Sequence, residues 1–180
     1  MRTLFIFLLF LLPISTQAEE LQVHLSGITL HGLRNTGVAP KAMPRKIDGN
    51  GQLVFTPGVA LLYKDKENYL YNISILKDCY DHWAGTVMFG KEFETGVTNL
   101  SWSVIGGVYA RQEAILCVDG VCVRGVDMPL RLTTSGLDIM PIAFAGLHYK
   151  APINETQFVH INILSNFFLT QMSVGYGWSF

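Results

Sequence analysis

The sequence predicts an all-β protein: an eight-stranded, antiparallel, up-and-down β-barrel that spans a membrane. Its last segment, "TQMSVGYGWSF", alternates strictly between bulky apolar and small or polar residues, which is the period of a β-strand. Eight segments suit strands, and most of them run about 9–12 residues, the length that a tilted strand needs to cross a bilayer. The connections alternate in length, as they do in outer-membrane barrels.

The chain begins with a segment that predicts export. Arg2 supplies a positive charge, an apolar run from Leu4 to Leu12 follows, and Thr16-Gln17-Ala18 fits a cleavage site. The apolar run is too short for a transmembrane helix, which needs about 20 residues. We therefore expect residues 1–18 to be a signal peptide and residues 19–180 to form a single outer-membrane barrel domain. The net charge of -1 argues against a nucleic-acid partner, because it leaves no basic surface.

The strand segments leave short connections on one side of the barrel and longer ones on the other. "DKEN" follows the second strand and "TGVT" the fourth, whereas residues 34–54 and 112–136 form long connections. With both chain ends on the periplasmic side, the long connections and the tip from Cys79 to His82 lie on the outer side. We expect strands over Leu21–Leu33, Phe55–Lys64, Tyr69–Asp78, Trp83–Glu94, Asn99–Arg111, Leu137–Lys150, Thr156–Leu164 and Phe168–Phe180.

Alternate bulky side chains predict the lipid-facing surface of this barrel. In the third strand, Tyr71 and Ile75 would meet lipid, while Asn72 and Ser74 would line the lumen. The fifth strand alternates in the same way. The apolar stripe that ends on Phe180 is therefore predicted to be the lipid face of the closing strand.

Two of the three cysteines predict a disulfide in an outer loop. In "CVDGVC", Cys117 and Cys122 lie opposite one another across an Asp-Gly turn, a strong hairpin signal. This pairing brings their Cα atoms within disulfide range, and an exported chain meets an oxidising environment. Metal binding is the competing interpretation, but two thiolates without a nearby histidine make a poor zinc site, so we expect no metal. Cys79 is the odd cysteine, and one interpretation of it is a buried or lipid-facing cysteine that behaves as a small hydrophobe.

A reactive site is predicted where two strands end at the outer rim. His31 closes the first strand and Asp78-Cys79 closes the third, so the three side chains can approach one another across the barrel mouth. Acyl transfer needs this constellation: the imidazole takes a proton, the thiol becomes the nucleophile and the carboxylate orients the base. His82, at the same rim, is an alternative base. The competing interpretation is that these side chains merely face solvent.

The remaining histidines and several acidic residues give no such signal. His24, His148 and His160 are isolated on predicted strands, and we expect them to have structural roles. Three aspartates are expected to be solvated loop residues, namely Asp48, Asp81 and Asp138.

Two motifs resemble those of the PagP-type lipid A palmitoyltransferases, which are eight-stranded outer-membrane barrels. "GITLHG" is similar to the first strand of that family, which ends in a catalytic histidine, and "LKDCYDHW" is similar to its Lys-Asp-Ser-x-x-x-Trp segment. The resemblance implies that His31, Asp78 and Cys79 are catalytic, with Cys79 in place of the family's serine. It also implies an enzyme that needs no cofactor and moves a palmitoyl chain from a phospholipid donor to lipid A.

The same resemblance implies that the acyl chain lies inside the barrel and that the protein's partners are membrane lipids. We expect a monomer that is integral to the bacterial outer membrane. A second hypothesis is a non-enzymatic small barrel that binds a ligand or a partner through its outer loops. A narrow pore is disfavoured, because side chains can fill the interior of eight strands. The small residues expected beside an acyl chain on the lumen side are Gly58, Ala60, Gly107 and Ala143.

Overall fold

The structure is a computed structural model that describes residues 18–31, 47, 53–112, 115–118, 121–124, 130, 132–166 and 168–180. For residues 18, 19, 115–118 and 121–124 it describes the backbone. The predicted signal peptide lies outside the described residues, apart from Ala18, which is the first residue of the first strand.

Eleven strands occur in the described part of the chain, and eight of them are the long strands of one barrel. The long strands are β1 (Ala18–His31), β2 (Leu53–Asp65), β3 (Tyr69–Lys77), β4 (Trp83–Glu94), β5 (Leu100–Gln112), β9 (Leu137–Pro152), β10 (Gln157–Ser165) and β11 (Leu169–Ser179). The short strands β6 (Ile115–Val118), β7 (Val121–Arg124) and β8 (Leu132–Thr134) lie in the connection between β5 and β9. No helix among the described residues is long and apolar enough to cross a membrane.

The eight long strands form a closed sheet. Each pairs antiparallel with the long strands that precede and follow it in the chain, and β1 pairs antiparallel with β11. This closing pair runs from Glu20 opposite Ser179 to His31 opposite Leu169, so that the first and last strands meet over nearly their whole length. The predicted fold class is confirmed: the chain forms an eight-stranded, antiparallel, up-and-down β-barrel.

The two ends of the barrel differ in their connections, and we name them accordingly. The turn end carries the short connections of residues 66–68, 95–99 and 153–156, together with the two chain ends of the barrel. Asn68 and Asn99 both have φ of 64° there, a left-handed conformation that asparagine tolerates well in tight turns. The loop end carries residues 32–52, 78–82, 113–136 and 166–168.

The long connection after β5 contains two short pairings of its own. Strands β6 and β7 form a hairpin in which Cys117 lies opposite Cys122, as the Asp-Gly turn predicts. Strand β8 was not predicted, because three residues are too few to show an alternation. It pairs with the first residues of β9 across a turn in which Ser135 and Gly136 both have positive φ. This pairing extends the barrel wall at the loop end.

The outer face of the barrel is apolar and the inner face is mixed. On every long strand the side chains alternate between these faces, and the predicted outward direction of Ile75 and inward direction of Asn72 are confirmed. Large exposed apolar side chains occur on all eight strands, among them Leu25, Val59, Ile75, Val87, Val104, Leu147, Ile161 and Val174.

Aromatic rings cluster on the outer face near the turn end. Two of the pairs join neighbouring strands and the third lies along the last strand, with ring centroids 4.3 to 4.8 Å apart. Such rings are typical of the interfacial girdle of a membrane barrel. The contacting pairs are Tyr63 with Tyr71, Phe93 with Trp102, and Tyr176 with Trp178.

Candidate functional site

Buried ion pairs cross the lumen at the turn end, beside an open cavity in which the centre of a water molecule can reach about 350 Å³. Glu20 accepts a hydrogen bond from Lys150 Nζ at 2.7 Å and lies 3.0 Å from Lys64 Nζ. Lys64 Nζ also lies 3.7 Å from Glu92, which accepts a hydrogen bond from the Ser101 hydroxyl. These side chains come from five different strands. The network therefore joins the walls of the barrel across the lumen.

Three histidines lie next to these ion pairs, and the prediction that they are isolated is wrong. His24 Nε2 lies 3.1 Å from His160 Nδ1, and the ring of His160 stacks on that of His148 with centroids 5.3 Å apart. His148 Nε2 lies 2.7 Å from Ser103 Oγ, and Gln22 Oε1 lies 2.8 Å from His24 Nε2. Inward-facing residues of distant strands meet here because an eight-stranded lumen is narrow.

Two inward-facing glycines make room for these imidazoles. A Cβ atom at Gly175 would lie 2.8 Å from ring atoms of His24. A Cβ atom at Gly146 would lie 2.7 Å from His148 Nε2. Real Cβ atoms do not approach so closely, so a larger residue at either position would displace a ring. These two inward-facing glycines, on β9 and β11, therefore mark where the imidazole rings pack.

The loop-end half of the lumen is a cavity. The centre of a water molecule can reach about 190 Å³ of it, which corresponds to on the order of ten to twenty waters or a hydrocarbon chain of similar bulk. The cavity runs from His24 at its inner end to His31 and Cys79 at the barrel mouth. Its apolar wall residues include Leu76, Met88, Ile142, Phe144, Leu164 and Leu169.

The four small residues that were expected beside an acyl chain do not all line the cavity. Of the four, Ala60 lines the cavity. Ala143 is exposed on the outer face, because the alternation of β9 turns its neighbour Phe144 inward instead. Gly58 and Gly107 face inward, but a Cβ atom at either would overlap the neighbouring strand, so their role is close strand packing.

Four hydroxyl groups along the cavity wall bond to one another in two pairs. Thr29 Oγ1 lies 2.9 Å from Thr56 Oγ1, and Ser74 Oγ lies 2.7 Å from Thr86 Oγ1. Each pair joins adjacent strands. An apolar ligand against this part of the wall would leave both of these hydrogen bonds intact.

At the cavity mouth the structure brings His31 and Cys79 together. His31 Nε2 lies 2.9 Å from Cys79 Sγ, although the two residues are 48 positions apart in the chain. Cys79 is a buried, reduced thiol and His31 is half-buried, and both line the cavity. A nucleophile and a base within hydrogen-bond reach are the minimum that covalent catalysis requires.

Asp78 shapes the turn that carries Cys79. Its Oδ1 accepts hydrogen bonds from the backbone N–H groups of Tyr80 and His82, at 2.9 and 2.8 Å. Its Oδ2 accepts a hydrogen bond from Arg111 Nη1 at 2.9 Å. An aspartate that caps its own turn fixes the backbone on either side of it. These contacts act on the position of Cys79, and the predicted orientation of the His31 imidazole by Asp78 stays a prediction.

Arg111 and Asp138 complete the mouth, and no pattern in the sequence indicated their role. Arg111 Nε lies 3.9 Å from Asp138 Oδ2, and the Thr133 hydroxyl donates a hydrogen bond to Asp138 Oδ1 at 2.8 Å. Asp138 is fully buried, so the prediction of a solvated loop residue is wrong. The reason is β8, which covers the start of β9 and turns an expected loop into barrel wall.

His82 has a different position from that expected of a base. Its Nδ1 lies 3.8 Å from Asp78 Oδ1. The thiol of Cys79 is instead in contact with His31. The geometry therefore favours His31 over His82 as the partner of Cys79.

The fold and its lumen define the chain as a small closed β-barrel of the outer-membrane type. Two solved structures are similar over 91% of this chain. One comes from the de novo design of transmembrane β-barrels, with 12% identity, 98% of that chain covered and a TM-score of 0.46. The other is the N-terminal β-barrel domain of Pseudomonas aeruginosa OprF, with 10% identity, 99% of that chain covered and a TM-score of 0.43. No family model and no curated protein matches the sequence.

Proposed function

We propose that the protein is an outer-membrane acyltransferase that moves a fatty acyl chain from a phospholipid to lipid A. One observation carries the proposal: the contact of 2.9 Å between His31 Nε2 and Cys79 Sγ at the mouth of a lumen cavity. A nucleophile beside a base, opening onto a cavity with apolar walls, suits the transfer of a long acyl group. The resemblance of the two motifs to lipid A palmitoyltransferases agrees with this chemistry.

In the first half of the proposed reaction, the acyl group moves to the enzyme. His31 takes the proton of the Cys79 thiol, and the thiolate attacks the ester carbonyl of the phospholipid to give a tetrahedral oxyanion. The oxyanion collapses, the carbon–oxygen bond of the ester breaks, and the imidazolium returns its proton to the departing lysophospholipid alcohol. The product is a thioester on Cys79.

In the second half, the acyl group moves to the acceptor. His31 takes the proton of a lipid A hydroxyl, whose oxygen attacks the thioester carbonyl. The carbon–sulfur bond breaks, and the thiolate regains a proton from the imidazolium. Both halves use the same two side chains, so the enzyme returns to its starting state without a cofactor or a metal ion.

Asp78 is a positioning residue in this proposal. It accepts hydrogen bonds from two backbone N–H groups of the turn that holds Cys79, and Arg111 anchors it to the adjoining wall. Because catalysis is sensitive to small displacements of the nucleophile, loosening this turn is expected to lower the rate of transfer without removing the chemistry.

We also propose that the barrel lies in the outer membrane and that its outer loop carries a disulfide. The apolar outer face and its aromatic rings support insertion into the outer membrane as a monomer, with the loop end outward. Cys117 and Cys122 lie directly opposite one another in the β6–β7 hairpin. We propose that they form a disulfide after export, since this pairing is within bridging range in an oxidising compartment.

Lipid acyl transfer by the refolded full-length mature barrel is the direct test. The protein would be assayed in mixed micelles of a radiolabelled phospholipid and lipid A. His31→Ala is expected to lower the rate about 10²–10⁴-fold, because it removes the general base. Cys79→Ser is expected to retain transfer, since a hydroxyl beside the same imidazole is also a competent nucleophile.

His148→Ala is the matched control, because it removes a lumen imidazole that does not touch Cys79. Its transfer rate, per folded barrel, is expected to stay within a few-fold of wild type. Absence of transfer by wild type and by Cys79→Ser, with the barrel shown to be folded, would refute the enzyme. That result would favour the second hypothesis, a barrel that binds a ligand or partner.

A further inference from the structure

Two buried amides at the inner end of the cavity have unused hydrogen-bonding capacity. The Oδ1 atoms of Asn72 and Asn162 are buried and have no hydrogen-bond partner. Asn72 is 9% exposed and Asn162 is 5% exposed, and both line the cavity. The hydroxyls higher up the wall, by contrast, are paired with one another.

The two amides face the lumen from opposite walls near one level. Asn162 is on β10 and Asn72 is on β3, which lies four strands away around the eight-stranded barrel. Ser173 lies opposite Asn162 in the strand pairing, and its hydroxyl lies 3.3 Å from His24 Nδ1. Since His24 and Ser173 also line the cavity, its inner end is polar, whereas the wall nearer the mouth combines apolar side chains with paired hydroxyls.

A hydroxyl group suits this inner end better than a methyl group does. It can donate a hydrogen bond to an amide oxygen and accept one from an amide N–H. A plain hydrocarbon end would cover the amides without satisfying them, and buried polar groups without partners are unfavourable. A hydrocarbon therefore fits the middle of the cavity, and a polar group fits its inner end.

The length of the cavity is similar to that of an extended long acyl chain. From His31 to His24 the strand spans roughly 20 Å, which is roughly 15–18 Å along the axis of a barrel with the usual strand tilt. An extended long acyl chain has a similar length. A chain whose carboxyl carbon lies at Cys79 would thus bring its far end to Asn72 and Asn162.

We infer that the acyl chain taken by this barrel carries a hydroxyl group at or near its far end, and that Asn72 and Asn162 bind that hydroxyl. The inference rests on the proposed acyl-transfer function for the class of ligand. It goes beyond that function by naming the chemistry of the buried end of the chain and the residues that recognise it.

The test is an equilibrium competition without acceptor lipid or turnover. The full-length mature barrel in detergent micelles would receive an equimolar mixture of ω-hydroxypalmitic acid and isotopically labelled palmitic acid. Native mass spectrometry then gives the ratio of the two bound species. Asn72→Leu/Asn162→Leu, which keeps a similar side-chain volume, corrects for the different partitioning of the two acids into micelles. The hydroxy acid is expected to be enriched roughly tenfold in wild type relative to this variant.

A second competition needs no variant. An isomer with the hydroxyl in the middle of the chain would compete against ω-hydroxypalmitic acid for the wild-type barrel. The ω isomer is expected to be retained roughly tenfold better, because the hydroxyls described in the middle of the wall already pair with one another. Equal retention of the isomers, or the same bound ratio in wild type and the leucine variant, would overturn the inference and leave water as the occupant of the inner end. Either outcome is independent of whether the barrel transfers palmitoyl groups.

Discussion

The two halves of the lumen are built from the same eight strands but hold opposite kinds of interior. At the turn end, Glu20, Lys64 and Lys150 form an ionic network beside three histidines, two of which stack on one another. At the loop end, the same alternation of side chains encloses a cavity that opens at His31 and Cys79. The difference lies in side-chain size and charge, since strand number and pairing are the same in both halves.

This contrast separates the determinants of stability from those of function. The turn-end half joins barrel walls through charged hydrogen bonds, which are strong when they are shielded from water. The loop-end half keeps its walls satisfied by short hydroxyl pairs and leaves space between them. Changes at the turn end should therefore alter the free energy of unfolding, and changes at the mouth should alter chemistry or binding.

Glu20→Gln should give the largest loss of stability. Glu20 is the carboxylate shared by Lys64 and Lys150, so its neutralisation leaves buried ammonium charge uncompensated. Breaking a buried ion pair in this way costs about 3–5 kcal/mol. Guanidinium unfolding of the barrel in lipid vesicles, followed by tryptophan fluorescence, measures the loss.

Glu67→Gln is the matched control for this change, because Glu67 is exposed in the turn between β2 and β3. Its effect is expected to stay within about 0.5 kcal/mol. Acyl transfer per folded barrel should be the same in both variants. A loss below about 1 kcal/mol for Glu20→Gln would contradict the assignment of the turn-end half to stability.

The sequence predicted the outer face better than the lumen, for a physical reason. Facing lipid is a property of single residues, and alternation along one strand reveals it. Contacts inside the lumen join residues far apart in the chain, as His24 and His160 do over 136 positions. The contact of His31 with Cys79 could be anticipated because both residues end strands at one rim. The burial of Asp138 could not be anticipated, since it depends on the unpredicted strand β8.

Gly175→Ala tests the boundary between the two halves. The added Cβ atom would lie 2.8 Å from the ring of His24, whose other contacts with Gln22 and His160 restrict its movement. Displacing the ring is expected to destabilise the barrel by about 1–3 kcal/mol and to narrow the inner end of the cavity. Unfolding in guanidinium measures the first effect.

Gly85→Ala serves as its counterpart, because a Cβ atom there would have its nearest neighbour, the Ser74 carbonyl oxygen, at an ordinary 3.5 Å. That variant is expected to differ from wild type by less than about 1 kcal/mol. Equal losses for the two glycine variants would mean that the fit of His24 against Gly175 contributes nothing to stability.

The smallest expected effect is a difference in unfolding free energy between two variants, each of which loses one hydroxyl in one half of the lumen. Thr29→Val removes the partner of Thr56 beside the cavity, and Ser103→Ala removes the partner of His148 in the ion-paired half. Water in the cavity can bond to the Thr56 hydroxyl, so Thr29→Val should cost about 0.5–1 kcal/mol. His148 and Ser103 are buried and line neither of the two cavities, so Ser103→Ala should cost about 1–3 kcal/mol. Guanidinium unfolding of both variants gives the difference.

Equal losses of unfolding free energy would mean that water reaches the two hydroxyl sites equally well. The contrast between the ion-paired half and the hollow half of the lumen would then have no effect on stability.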